Sequence, residues 1–436
     1  VRAPSGGPDA ERPLRPKDPG GRTPGQAPAQ ATIDDDDGGS DDRGMSTTVK
    51  DTRHVVVVGG GLVGISVARA LARAGVAVTV VERGVPGAEA SWAAGGILSP
   101  QAECDIDGPM LRLCLRGLDD MRALEAELRS EQGQGSDAGI GWRAAGTLDV
   151  ASTEAEAQQL AARVAWQRAA GLQAQWVDGA TARARAPVGG DVVGGAWFAG
   201  EVSLEPRRLF EQLRASAERA GVRFLGGRRV RNVQASVVEL DRDVDGALDA
   251  GRQEERLEGD AVVVCAGAWT PQVEGAGVGA AAVFPVRGVI VEIDGGAVGQ
   301  SFAAVVYGHG GYAVPRIDGR VLIGSTMERV GFDKTITAGA LSSVLQRAVT
   351  LLPGLASRPV RSQWAGLRPG TGDGLPLLGR SPTGVWIASG HFRNGVLLAA
   401  ASGAVLRDAL LRGVAIDPAF APARAQRLME EGHMLR

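Results

Sequence analysis

The segment His54-Val55-Val56-Val57-Val58-Gly59-Gly60-Gly61-Leu62-Val63-Gly64 joins four consecutive valines to a GxGxxG turn. So short an apolar run predicts a strand buried on both faces. Beyond the turn, Val63, Val67, Ala70, Leu71 and Ala74 recur at helical spacing over Leu62–Ala74, and Gly75 supplies the stop. Ala77–Val81 reads as a second strand ending at Glu82, 21 residues after Gly61. Each glycine has its own task in such a unit. Gly59 permits the tight turn, Gly61 lets main chain approach a pyrophosphate, and Gly64 lets the helix pack close to the sheet. The helix N-terminus then faces the phosphates, and the Glu82 carboxylate accepts hydrogen bonds from a ribose hydroxyl. Strand, glycines, helix, strand and acid in register predict a dinucleotide site in an α/β fold. The unit by itself does not separate FAD from NAD.

Immediately downstream, Ala90-Ser91-Trp92-Ala93-Ala94-Gly95-Gly96-Ile97 is a run of small residues. Small side chains here let main chain lie against a long, flat ligand. An ordinary Ala/Gly loop is the alternative in so alanine-rich a chain.

The wider composition narrows the chemistry. A chain of 436 residues that is 44% hydrophobic has the apolar mass for two or more structural units. Its 64 glycines and 22 prolines show no period of three, so it is not collagen-like. Only Lys17, Lys50 and Lys334 are lysines, which leaves almost no residue for Schiff-base chemistry. The four histidines and three cysteines show no metal-ligand spacing, so no metal is expected. Cys104, Cys114 and Cys265 form neither a CxxC pair nor an even disulfide set, which suits a reducing, cytoplasmic compartment. A net charge of −3 argues against a dedicated nucleic-acid binder. No run of eighteen apolar residues is present to span a membrane.

Residues 1–44 differ from the rest, with seven of the prolines and the acidic run Asp34–Asp37. Such a segment cannot bury enough surface to offset its ordering entropy, so a disordered tail is expected. Two readings stay open for it: the native chain begins at Met45, or the tail is an acidic interaction segment.

From residue 54 onward the sequence resembles ThiO-type glycine oxidases, within the FAD-dependent D-amino-acid oxidase family. The resemblance is carried first by residues 54–103, which end in Glu89-Ala90-Ser91-Trp92-Ala93-Ala94-Gly95-Gly96-Ile97-Leu98 and Pro100-Gln101-Ala102-Glu103. It resumes at Tyr312-Ala313-Val314-Pro315-Arg316 and Gly324-Ser325-Thr326-Met327. It is clearest at Trp364-Ala365-Gly366-Leu367-Arg368-Pro369-Gly370-Thr371 and Gly390-His391-Phe392-Arg393-Asn394-Gly395. Non-covalent FAD is implied, with contacts at Leu62, Val63, Glu82, Arg83, Ala90, Ser91, Gly95, Gly96, Ile97 and Val230, besides Gly59, Gly61 and Gly64. The segment His391, Phe392, Arg393, Asn394, Gly395, Val396 and Leu397 is implied to lie against the flavin ring. Arg368, Tyr312 and Arg393 are implied as substrate contacts. Ile97 stands where a family member has methionine, which alters the pocket wall.

Beside the resemblance, the residues carry their own readings. A guanidinium at Arg368, between Leu367 and Pro369-Gly370, can hold a carboxylate by two parallel hydrogen bonds. Pairing with the nearby Asp373 is the alternative. Tyr312 flanks an apolar strand and either hydrogen-bonds the same carboxylate or packs in the core. Val385–Ser389 reads as a strand and Val396–Leu411 as a helix. A helix N-terminus there stabilises negative charge on a reduced flavin, although a plain strand–turn–helix also fits. His391 is expected to position main chain rather than act as a base, because hydride transfer from a neutral amine to flavin N5 requires none.

The resemblance implies an α/β protein with a Rossmann-like FAD-binding domain and a smaller α+β substrate domain built on an antiparallel sheet. The FAD domain takes 45–140, 206–280 and 366–436, and the substrate domain takes 141–205 and 281–365. Within them, Pro206–Ala220 reads as an amphipathic helix, and Val283–Ile293, Phe302–Val306 and Arg320–Ser325 as strands. Residues 241–259 read as an exposed hairpin or loop insertion. The expected activity is oxidation of glycine or a similar small amine to an imino acid, then glyoxylate and ammonia, with hydrogen peroxide released. Thiazole formation in thiamine biosynthesis, with the imine handed to a thiazole synthase, is also implied. A D-amino-acid or sarcosine oxidoreductase, an NAD-dependent dehydrogenase and a non-catalytic flavin protein are the rival readings. Monomer and homo-oligomer are both open.

Overall fold

The computed structural model describes residues 52–132, 139–241 and 256–430. The expected tail over 1–44 lies outside them, as do residues 242–255 of the expected insertion. The strand Val237–Leu240, which precedes the insertion, pairs antiparallel with Arg256–Glu258 within it.

The valine run forms the strand His54–Val58 at the centre of a six-stranded sheet. The strand order is Leu377–Arg380, Trp386–Ser389, Ala261–Val264, His54–Val58, Ala77–Val81 and Arg223–Leu225. All neighbours are parallel except the edge strand Leu377–Arg380. Consecutive valines are tolerated because both faces are covered. Val55, Val57, Val78 and Val80 enter a core with the helices Leu62–Ala72, Pro109–Gln132, Pro206–Arg219 and Ala399–Arg412. Val56, Val58 and Val81 face the small three-stranded sheet that contains Val230–Val233 and Val237–Leu240. The glycine turn stands at the C-terminal edge of the parallel strands, where open α/β sheets place their ligands.

A second sheet has eight strands, in the order Val360–Thr371, Val283–Asp294, Arg320–Gly324, Gly311–Pro315, Val305–Gly308, Thr147–Ala151, Gly194–Phe198 and Gln175–Asp178. It is antiparallel except where Val305–Gly308 runs parallel to Thr147–Ala151. One face packs against the helix Ala338–Leu351 through Val344, Ala348 and Leu351. The other face presents Ile290, Tyr312, Leu322 and Trp364, which pack with Ala93 of the small-residue loop. This is the mixed α/β architecture expected, with a largely parallel nucleotide sheet and a largely antiparallel second sheet.

Two element starts move by three residues. The strand expected at Phe302–Val306 runs from Val305 to Gly308, because Phe302 instead turns into the core after the short helix Gly296–Gln300. The helix expected from Val396 begins at Ala399. Phe392 has a φ of +47°, and the chain makes a 3₁₀ turn over Phe392–Asn394 before it winds into the α-helix. A positive φ at a bulky residue is uncommon, and no letter in the sequence announces it.

Candidate active site

One continuous cavity of about 700 Å³ begins at the glycine turn and ends among the strands of the large sheet. At the turn, Gly59 has a φ of +107°, and a side chain there would meet the Cys265 carbonyl at 2.4 Å. Gly64 is stricter, since a Cβ would lie 2.0 Å from the Gly59 carbonyl oxygen. Gly61 meets only Ser91 Oγ, at 3.1 Å, so little in the protein itself forbids a side chain there. Its bare backbone borders the cavity instead, as close approach of a phosphate requires. The helix Leu62–Ala72 has no side-chain cap and no acid in its first turn. Glu82 accepts from the Gly60 amide at 2.8 Å and the Gly84 amide at 3.0 Å, which holds its carboxylate at the cavity edge. Arg83 lies 3.8 Å over the Trp269 ring and donates to Glu89 at 3.1 Å. The helix start without an acid in its first turn, the side-chain-free Gly61 and the fixed carboxylate together fit a dinucleotide.

Farther along, Ala90, Ser91, Gly95, Gly96 and Ile97 form one wall and Val230 contributes to another. Ser91 Oγ accepts from the Leu62 amide at 2.9 Å, which ties the small-residue loop to the helix start. Arg316, buried, donates to the Gly95 carbonyl at 2.9 Å and the Leu204 carbonyl at 2.7 Å. It thereby pins the loop to the large sheet, a part that sequence reasoning had not assigned to it. His391, Phe392, Arg393, Asn394, Gly395 and Val396 face the cavity. Leu397 does not. It is fully buried in the helical core, because the 3₁₀ turn rotates it away from the opening.

His391 is buried, its Nε2 is 2.9 Å from Ser402 Oγ, and burial pushes its pKa down to about 4. The ring is therefore neutral at physiological pH. Between pH 6.5 and 4 the unfolded chain binds a proton that the folded chain refuses, so acid costs about 3 kcal/mol at this group. Glu201, fully buried and raised to about 7, contributes the opposite slope between pH 4.5 and 7. Comparison with a variant isolates the histidine: the loss in thermal midpoint from pH 7 to pH 4.5 is expected to be smaller in His391→Gln than in the parent chain.

At the far end, Arg368 lies in the strand Val360–Thr371 opposite Val286. Its guanidinium donates to Ser325 Oγ at 2.6 Å and to the Thr326 carbonyl at 3.1 Å, both neutral acceptors. The alternative pairing with Asp373 is not formed, because Asp373 is taken by Arg424 at 2.6 Å. Among the described residues no carboxylate forms an ion pair with Arg368, and burial lowers the pKa of its guanidinium. A desolvated cation of this kind is complementary to an anion. Tyr312 packs edge-to-face on Tyr307, with ring centres 5.9 Å apart, and lines the cavity beside Arg368. Arg393 donates to Glu103 Oε1 at 2.6 Å, and the Tyr307 hydroxyl donates to the same oxygen.

Two glycines that sequence reasoning missed make room for these groups. A Cβ on Gly288 would lie 2.1 Å from Arg368 Nη1, and one on Gly324 would lie 2.2 Å from the Tyr312 ring. Gly288 sits on the strand paired with that of Arg368, and Gly324 on the strand paired with that of Tyr312. The clash at Gly288 involves the flexible end of a side chain, so Gly288→Ala is expected to fold and bind flavin normally. If Arg368 holds a substrate carboxylate, displacing its guanidinium is expected to raise the Michaelis constant for that substrate about tenfold or more in steady-state assays.

This arrangement defines a class of protein: a flavin-dependent oxidoreductase. The family model described as FAD dependent oxidoreductase matches residues 54–409, and the chain belongs to that family. It is an enzyme that uses FAD, so the NAD-dependent and non-catalytic readings fall. A shorter match, to the pyridine nucleotide-disulphide oxidoreductase family, spans residues 12–86. The chain is 36% identical to glycine oxidase of Pseudomonas aeruginosa over 85% of its own length and 99% of the relative's. It superposes on the crystal structure of glycine oxidase from Geobacillus kaustophilus with a TM-score of 0.76 and 30% identity, covering 86% of this chain and 99% of that one. It is also 31% identical to the bifunctional protein ThiO/ThiG of Synechocystis sp., over 86% of this chain and 54% of the relative. The likeness to ThiO-type glycine oxidases is thus shown over most of the chain.

Proposed function

We propose that the protein oxidises glycine, or a similarly small primary or secondary amino acid, to the imino acid with oxygen as electron acceptor. The observation that carries this reading is Arg368, a half-buried guanidinium that among the described residues donates to neutral oxygens and pairs with no carboxylate, and that borders the cavity beside Tyr312. Similarity to curated glycine oxidases supports it. FAD, when bound, supplies the two-electron oxidation of the amine and the return of those electrons to oxygen as hydrogen peroxide. Gly59, Gly61, Leu62, Val63 and Glu82 would hold its dinucleotide portion non-covalently. The loop Ala90–Ile97 and the segment His391–Val396 would hold the flavin.

The protein's own part is binding and orientation. Arg368 takes the substrate carboxylate bidentately, which fixes its position and its plane. The Tyr312 hydroxyl supports the same carboxylate, and Arg393 lines the same cavity. Neutral His391 holds the main chain of the flavin-facing turn through Ser402. Apolar walls at Ile97, Ile290 and Tyr312 exclude water from the reacting carbon. The released imine hydrolyses to glyoxylate and ammonia or passes to a thiazole synthase, the latter in keeping with relatives named ThiO/ThiG. No helix among the described residues is long and apolar enough to cross a membrane, and the three cysteines are free and buried. A cytoplasmic setting accords with this reading. So does the division into an FAD domain of 45–140, 206–280 and 366–436 and a substrate domain of 141–205 and 281–365.

A substrate panel tests the proposal. Peroxide release is measured with glycine, sarcosine and D-alanine on the purified yellow holoenzyme. Glycine is expected to give the highest kcat/KM. A clear preference for D-alanine, or amine oxidation without peroxide, would move the protein to one of the rival activities.

A further inference from the structure

We infer that Glu103 is the group that recognises the substrate amine, by accepting one of its N–H groups. The inference rests on the amine-oxidation reading above and names a residue which that reading leaves without a role. Glu103 follows the strand Ile97–Leu98 and lines the same cavity as Arg368, with its side chain only 10% exposed. An acid so enclosed is held by charge-assisted hydrogen bonds, and here both converge on one oxygen. The Tyr307 hydroxyl and Arg393 Nη2 both donate to Oε1. Oε2 accepts no hydrogen bond from any described residue, yet it is not sealed away from the cavity. The carboxylate is thus fixed at one oxygen and free at the other.

Charge balance indicates what Oε2 meets. Besides Asp149 and Arg163, which line the same cavity and pair with each other at 3.0 Å, Arg368 and Arg393 bring two positive charges to this end and Glu103 brings one negative charge. An amino acid bound with its carboxylate ionised and its amine neutral brings the total to zero. The amine then has an N–H to give, and Oε2 is the unclaimed acceptor beside it. Primary and secondary amines meet that requirement, whereas a neutral tertiary amine has no N–H. Arg393 and Tyr307 act as positioning residues, since they aim Glu103 rather than hold the substrate amine themselves.

The experiment compares a ligand that has an amine with one that lacks it. Glycine turnover and competitive inhibition by acetate are measured on the holoenzyme and on Glu103→Gln, with acetate binding also read from the flavin spectrum. In the variant the KM for glycine is expected to rise about 10- to 100-fold, the span of one charge-assisted hydrogen bond. The acetate constant is expected to move less than about threefold. Equal shifts for both ligands would show that Glu103 acts only through Arg393, and would overturn the inference. If Glu103→Gln loses flavin, Glu103→Asp retains the charge but withdraws Oε2, and the same ratio of glycine to acetate effects decides. A parent enzyme inactive on glycine and other small amines would sink the functional reading and this inference with it. An active parent with matched shifts sinks the inference alone. In the parent enzyme N,N-dimethylglycine is expected to be turned over at least tenfold less efficiently than sarcosine, and equal efficiency would count against an N–H requirement.

Discussion

Replacing Arg368 by alanine is expected to raise the KM for glycine by about two to three orders of magnitude while leaving the fold and flavin content intact. The size follows from the setting. The guanidinium is half-buried, donates to the Ser325 hydroxyl and the Thr326 carbonyl, lies beside Tyr312, and has no ion-paired carboxylate among the described residues. A substrate carboxylate would complete its electrostatics, and removing one member of a buried charge pair costs about 2–5 kcal/mol. Arg368→Lys is expected to recover only part of the loss, because an ammonium keeps the charge but not the two-pronged geometry. Steady-state kinetics with glycine, alongside the ratio of flavin to protein absorbance, separates a binding defect from a folding defect. Unchanged kinetics would remove Arg368 from the site.

A second large effect is expected at the other end of the cavity. Gly64→Ala places a methyl group 2.0 Å from the Gly59 carbonyl oxygen and 3.3 Å from the Cys265 side chain. The first of these is backbone in the tight turn and has no slack, so the helix Leu62–Ala72 has to leave its seat on the sheet. Overpacking of this kind costs about 3 kcal/mol or more. The expected product is a colourless, destabilised protein with a lowered thermal midpoint. Gly61→Ala is the informative partner, since its Cβ meets only Ser91 Oγ at 3.1 Å. That variant is expected to keep the stability of the flavin-free protein and lose affinity for FAD, as measured by flavin titration. Equal stability losses in the two apoproteins would show that neither glycine is reserved for the cofactor.

The nucleotide half of this molecule was legible because its constraints are local. A valine run, three spaced glycines and an acid 21 residues on are all imposed by one strand–turn–helix–strand unit, and the structure has each where the spacing put it. Arg368 was harder, as roughly one residue in ten is arginine. Its neighbours and the family blocks singled it out, and only the fold shows that Asp373 is already occupied by Arg424. Glu103 and Gly324 stood within the family blocks without a role, and Gly288 outside them, for a different reason. Glu103 meets Tyr307 across 204 positions of sequence and Arg393 across 290, and each glycine matters for a side chain on a neighbouring strand. No periodicity records such long-range pairing. The Phe392 turn was missed because a positive φ there is set by the chain around it, not by the residue itself.

The bare strands beneath the two anchors also bear on how this site can change over generations. Arg368 and Tyr312 rest where Gly288 and Gly324 have no side chain to yield. Substitution normally reshapes a pocket by trading one wall residue for another, but here the floor is already main chain and can only be built upward. Each such step crowds an anchor before it meets a ligand. On the proposed reading, routes to new substrates lead through Ile97 and the open side of the chamber, and the floor acts as a ratchet that would keep descendants of this chain committed to carboxylates.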